Sequence, residues 1–334
     1  MKLGLRELFL VLLMMQNAFY TLLRRYASGM LKEQWLPSAC LLVAEMMKLV
    51  FSCVSTIRDK SPTDAKGEGL AKIVWVCRNS FVMFVPAFIY FIMNLLSFVA
   101  LQRVTGTMFT VVGQLKIVST GVFGVLILGR HYTPRKWRAM VLVGIGAALV
   151  SNIDRKDMHR LTGDAEDADE NEGFTSMLIG LGAVLLEVTL SGFASVYFER
   201  VLKSKQENLS VWDRNIQLAM YSLLLYTPLA VYRAPGGHVF IHWTNTALVI
   251  SMLGAAGGLL VSLAVKYSDS VMKSLSVSAA IILCASFEYL FMDAPLSVVN
   301  AMGAVCVILA IFNYLDEGNN PQFDDASAKN TPKV

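Results

Sequence analysis

The chain has 334 residues, 55% hydrophobic and only 16% charged, with mean hydropathy +0.54 and a formal net charge of +4. A soluble domain carries about 25% charged residues, so composition excludes a soluble globular protein and leaves an all-α polytopic membrane protein. The small net charge, with no basic patch interleaved with aromatics, excludes a nucleic-acid partner and leaves membrane lipid as the surrounding medium.

Hydrophobic runs long enough for a bilayer predict ten transmembrane helices, at 7–24, 36–57, 79–101, 106–128, 136–152, 174–202, 212–232, 246–265, 270–292 and 296–315. The first run lacks a small-residue cleavage site and reads as an uncleaved span. With a cytosolic N-terminus, 17 Lys and Arg fall on the cytosolic side, 8 on the opposite side and 4 inside the membrane. The positive-inside rule therefore predicts both termini in the cytosol. The acidic stretch 153–173 reads as a luminal linker, and 316–334 as a disordered cytosolic tail. The linker separates five spans (1–152) from five (174–315). Five is odd, so homologous halves would be inverted. A shift of 164 residues aligns the apolar profiles of 106–128 and 270–292, though identity in that register is near chance.

Polar residues inside these runs are the candidate site. Lys116 sits mid-span, beside Gly113 and Gln114. A lysine there costs about 2.5–3.5 kcal/mol on insertion scales and demands a wet cavity or a partner. Lys266 and Lys273 flank a break around Ser268–Ser270, where Asp269 can cap the ninth span. The positive end of that span and two ammonium groups would build an anion site. Snorkelling of Lys266 and Lys273 to the interface is the plainer alternative. Glu45 and Lys48, three apart on the second span, read as a structural ion pair. Asn94 and Gln114 suit either ligand contact or hydrogen bonding between helices. Cys40, Cys53, Cys77, Cys284 and Cys306 have no metal spacing, and none of the four histidines pairs with a Cys or buried Ser. No cofactor, metal site or catalytic triad is expected, and the chain does not read as an enzyme. Three intramembrane lysines among small and aromatic neighbours point to a polyanion with a flat ring, and a nucleotide fits.

The motifs Ala44-Glu45-Met46-Met47-Lys48-Leu49, Gln114-Leu115-Lys116-Ile117, Val196-Tyr197-Phe198-Glu199-Arg200-Val201-Leu202-Lys203 and Arg214-Asn215-Ile216-Gln217-Leu218 occur in order, followed by Gly257-Gly258 and Val265-Lys266-Tyr267-Ser268-Asp269. Together they resemble the nucleotide-sugar transporters, in the branch of the Golgi UDP-galactose, UDP-N-acetylglucosamine and CMP-sialic acid carriers. The resemblance implies ten helices in the drug/metabolite-transporter fold, as two inverted five-helix halves in the Golgi membrane. It also implies import of a nucleotide sugar in exchange for a nucleoside monophosphate, and is compatible with a homo-oligomer. By position it assigns Lys116 and Lys266 to the phosphates, and Asn94, Ser191, Asn215 and Lys273 to the nucleotide or sugar, with Tyr197 and Tyr267 nearby.

Phe109 and Ala219 stand where CMP carriers have tyrosine, which favours a UDP-sugar and UMP over CMP-sialic acid, with Phe109 as wall for the base. Gly113, Ser270 and Met93 also depart from the branch pattern. A different ten-span carrier, for instance of sugar phosphates, and a non-transporting scaffold are the other classes the sequence leaves open.

Overall fold

The computed structural model describes residues 4–29, 31–58, 69–104, 106–150, 170–204, 209–291 and 297–316. Among these, the regular elements are all helical: α1 (Leu5–Gly29), α2 (Pro37–Arg58), α3 (Leu70–Arg78), α4 (Phe81–Leu101), α5 (Gly106–Gly113), α6 (Lys116–Leu128), α7 (Pro134–Val150), α8 (Glu170–Lys203), α9 (Val211–Arg233), α10 (Asn245–Tyr267), α11 (Ser270–Phe291) and α12 (Val298–Leu315), with one short 3-10 turn after α9.

Among the described residues, seven segments are long and apolar enough to cross a membrane: α2, α4, the joined α5–α6, α8, α10, α11 and α12. The other three expected spans are helical but differ in kind. α7 has only 17 residues. α1 carries Gln16, Asn17, Arg24 and Arg25, and α9 carries Asp213, Arg214, Asn215 and Gln217. All three pack inside the bundle, α1 against α10 and α11, α7 against α12, and α9 against α2 and α4. The expected linker and tail largely lie outside the described residues, and α8 already begins at Glu170, inside the stretch read as linker.

Local sequence explains several boundaries. Ser210 starts α9 with a reciprocal capping box, its hydroxyl accepting from the Asp213 amide while Asp213 accepts from the Ser210 amide. Asp213 also accepts from Thr56 Oγ1 at 2.9 Å, which ties α9 to α2. Gly129 ends α6 with φ +64°, a left-handed cap that lets the Arg130 amide return to the Gly124 carbonyl. Close crossings use glycine. At α7–α12 a Cβ on Gly303 would meet the Gly146 carbonyl oxygen at 2.8 Å.

The other extensive pairings are α4 with α8, α6 with α8 and α2 with α10. The largest apolar cluster joins α1, α6, α7, α10, α11 and α12 through residues such as Leu13, Ile117, Met140, Val143, Leu275 and Val307.

Candidate substrate site

The interrupted span organises the site. Between α5 and α6 the backbone tightens: the amides of Gln114 and Leu115 bond back three residues to Val111 and Val112, and that of Ile117 to Gln114. Such a 3-10 stretch within a span marks a hinge or a strained segment. It puts Lys116 at the first turn of α6, half-buried. The Lys116 ammonium makes no hydrogen bond and no ion pair within 4 Å among the described residues, and it lies within electrostatic reach of Lys273 and Glu187. Gln114 is buried; its amide donates to the Thr110 carbonyl at 3.3 Å, and its Oε1 is buried without a partner.

α8 faces this lysine with a polar stripe. Glu187, Ser191, Ser195 and Glu199 recur every four residues along one slowly winding face. Ser97 on α4 donates to Glu187 at 2.9 Å. Lys273 on α11 donates to Ser195 Oγ at 2.8 Å. α6 and α8 run parallel in a nearly constant register: Ser119 Oγ to the Thr189 carbonyl at 3.5 Å, the Phe123 and Phe193 rings at 5.5 Å, and Arg130 on Glu199.

At the end of this stripe Glu199 is fully buried. It accepts from Arg130, from Lys203 at 2.7 Å and from the Ser270 amide at 3.0 Å. Lys203 also reaches the Ser268 carbonyl, and Arg6 donates to Ser268 Oγ. Burial works against the charge of Arg130, but Glu199 and Asp269 outweigh it and hold the guanidinium more firmly protonated than usual.

This arrangement corrects the sequence reading of the α10–α11 break. Asp269 caps α11, accepting from the Met272 amide at 2.7 Å, but the carboxylate of Glu199 already occupies the helix start. Among the described residues a protein carboxylate thus takes the place an anion would have at that helix start. Lys266 is exposed and lies over the Tyr267 ring at 5.7 Å, while Tyr267 stacks on Phe9. The structure brings Lys116 and Lys273 together and leaves Lys266 outside the pair.

The other candidates are distributed around this centre. Asn94, half-buried, donates to the Tyr90 carbonyl and to Tyr226. Phe109, half-buried, packs against an apolar cluster that includes Ala100, Val104 and Val188. Ser191 is half-buried on the α8 stripe. Tyr197 stacks on Phe193 and donates to the Val82 carbonyl at 3.3 Å. Asn215 is fully buried, donating to the Val211 carbonyl and accepting from Ser262 at 2.9 Å. Lys48 pairs with Glu45 at 2.6 Å, and its stem lies against Gly258.

A model of the nucleotide-sugar transporter family matches residues 1–315. The chain belongs to that family. Among its relatives, a UDP-N-acetylglucosamine/UDP-N-acetylgalactosamine transporter of Caenorhabditis elegans is 34% identical, the match covering 98% of this chain and 97% of the relative. A UDP-galactose transporter of Schizosaccharomyces pombe is 32% identical, covering 93% and 88%, and a UDP-N-acetylglucosamine transporter of Rattus norvegicus is 30% identical, covering 94% and 96%. One solved crystal structure superposes with TM-score 0.66 at 12% identity, covering 92% of this chain and 96% of that one, which shows a shared fold.

In this nucleotide-sugar transporter, three charged residues that line or close the centre escaped the sequence reading. Glu187 could have been found as the one charged residue between positions 173 and 198. Glu199 stood within a quoted motif, but its partners Arg130 and Ser270 are remote in sequence and only the fold joins them.

Proposed function

We propose that this protein is a ten-span pyrimidine nucleotide-sugar antiporter, importing a UDP-sugar (UDP-galactose or UDP-N-acetylglucosamine) into the Golgi lumen in exchange for UMP. The observation that carries this is the Lys116 ammonium at the interruption of a membrane span, without a hydrogen bond or ion pair among the described residues and within electrostatic reach of Lys273. An intramembrane cation held without a protein partner is costly unless an anionic ligand meets it. The relatives, transporters of UDP-N-acetylglucosamine and UDP-galactose, favour a UDP-sugar.

Helix pairing supports two inverted halves. Number the spans one to ten as α1, α2, α4, α5–α6, α7, α8, α9, α10, α11 and α12. Adding or subtracting five then exchanges the pairing α4–α8 with α1–α10, α6–α8 with α1–α11, and α2–α10 with α4–α9, and leaves α2–α9 and α7–α12 unchanged. This is the pattern of two five-helix units related by an axis in the membrane plane. Excess Lys and Arg on one side then assign both termini to the cytosol. The Glu199 cluster closes that cytosolic end.

In this reading Lys116 and Lys273 meet the phosphates, and Gln114, Ser191 and Asn94 line the nucleotide and sugar. Phe109 forms apolar wall for uracil. Asn215 on α9 lies on the nucleotide or sugar side with Tyr197 of α8 nearby, and Lys266 with Tyr267 receives ligand at the cytosolic mouth. The halves rock about this midplane site, and the returning monophosphate replaces the charge that the released nucleotide sugar takes away.

The test is thermal stabilisation of the detergent-solubilised protein by UMP, CMP, GMP, AMP and their sugars. A shift with UMP and UDP-sugars and little with CMP is expected. A shift with CMP and CMP-sialic acid would move the substrate within the family, and silence across all nucleotides would sink the reading.

A further inference from the structure

We infer that Glu187 is a built-in counter-charge for Lys116, which lets the empty carrier change sides and so loosens the exchange into partial net transport. This rests on the exchange reading above.

The register of α6 on α8 carries the argument. Ser119 lies level with Thr189, Phe123 with Phe193, and Arg130 with Glu199, a constant offset of about 70 residues. The helices are parallel, so Lys116, one turn before Ser119, lies level with Leu186–Glu187. The two charges interact electrostatically yet stand beyond the 4 Å of a direct ion pair. Glu187 is fixed by the Ser97 hydroxyl, which donates to one carboxylate oxygen at 2.9 Å, and the other oxygen accepts no hydrogen bond among the described residues.

Strict exchange needs an empty carrier that cannot reorient. Two lysines crowding one site without an anion would supply that barrier, because like charges in a low-dielectric space repel strongly. A fixed carboxylate at the same level lowers the barrier by neutralising one of them. It also competes with the ligand's phosphate, so the same residue weakens ligand binding while it eases the empty return. The charge, not the hydrogen bond to Ser97, is what both effects require. Glu187→Gln removes the charge and keeps an oxygen for Ser97.

The experiment compares uptake of labelled UDP-N-acetylglucosamine into proteoliposomes of the full chain, preloaded with UMP or empty. The wild type should be stimulated by preloading only a few-fold. Glu187→Gln should raise that ratio about tenfold through lost uptake into empty vesicles, whereas Glu187→Asp should keep the wild-type ratio. Equilibrium binding gives a second readout that survives any loss of flux: Glu187→Gln should bind UMP more tightly than the wild type, by about threefold or more. An unchanged ratio, or weaker UMP binding in Glu187→Gln, overturns the inference and would mark Glu187 as a ligand contact or a helix tether. A wild type that moves no nucleotide in either vesicle overturns the exchange reading itself, and this inference falls with it.

Discussion

Glu199 and Arg130 join the last turn of α8 to the turn between α6 and α7. The carboxylate is entirely buried and accepts both guanidinium nitrogens, while the arginine side chain keeps 27% of its surface exposed. The same carboxylate holds the first amide of α11. One acid from α8 thus grips the turn between α6 and α7 and the start of α11. In the topology proposed above this is a cytosolic latch, and it must open for ligand to enter from that side.

Breaking the latch should cost stability as well as change access. Removing one member of a buried pair costs about 3–5 kcal/mol because the other charge is stranded. Lys203 stays beside Glu199 in an Arg130→Ala variant, so the lower end of that range is expected there. Arg130→Lys should fall between, since an ammonium cannot reproduce the two-pronged contact. Thermal unfolding of the purified variants in detergent checks the order wild type, Arg130→Lys, Arg130→Ala. Equal midpoints would mean that the contact does not hold the helices.

Lys116 should behave in the opposite sense. It makes no direct hydrogen bond or ion pair among the described residues and feels Glu187 only at longer range, so replacing it removes a poorly compensated intramembrane charge. Lys116→Met should raise the ligand-free thermal midpoint by the equivalent of about 1–2 kcal/mol, part of the roughly 2.5–3.5 kcal/mol that such a lysine costs on insertion scales. The same variant should lose all stabilisation by UMP and all uptake of UDP-sugar. A lower midpoint with the UMP response intact would make Lys116 a structural residue.

The all-helical class and the positions of the apolar runs were legible because a span announces itself by composition over about 20 residues. Lys116 was legible for the same reason, as one charge in the middle of such a run. The apolar runs of α1 and α9 were legible as helices, but where their polar residues point was not: Asp213, Arg214 and Gln217 on α9 are buried against partners within the bundle. Gln217, for example, donates to the carbonyls of Val76 and Asn79, contacts some 140 residues away that no local pattern encodes. The α10–α11 break misled for a related reason. Its capping residues were visible, but the acid that fills the helix start comes from α8.

Asn215 offers a separation between ligand contact and architecture. Its amide oxygen accepts from Ser262 on α10, and both residues are buried. Asn215→Ala and Ser262→Ala should each cost about 1–2 kcal/mol. The double variant should fall short of their sum by about 0.5–1 kcal/mol, since they share one interaction. Full additivity in thermal or denaturant unfolding would show that the bond contributes nothing. A loss of UMP affinity in Asn215→Ala that Ser262→Ala does not share would assign Asn215 to the ligand directly.

Gly192 sets the approach of α8 to α6, and hence the level at which Lys116 faces the α8 stripe. A Cβ there would lie 2.2 Å from Ser119 Oγ and 2.7 Å from the Ser119 carbonyl carbon. The hydroxyl could rotate away, but the backbone carbon cannot. Gly192→Ala should therefore force the helices apart at a cost of about 1–3 kcal/mol, as overpacking of a close contact does. It should also weaken stabilisation by UMP, because Lys116 moves with the first turns of α6. Adding Ser119→Ala in the same chain should restore little of either, since the backbone clash persists. Recovery of both the thermal midpoint and the UMP response in the double variant would mean that only the two side chains compete for space, and that the backbone register of α6 on α8 does not govern the site.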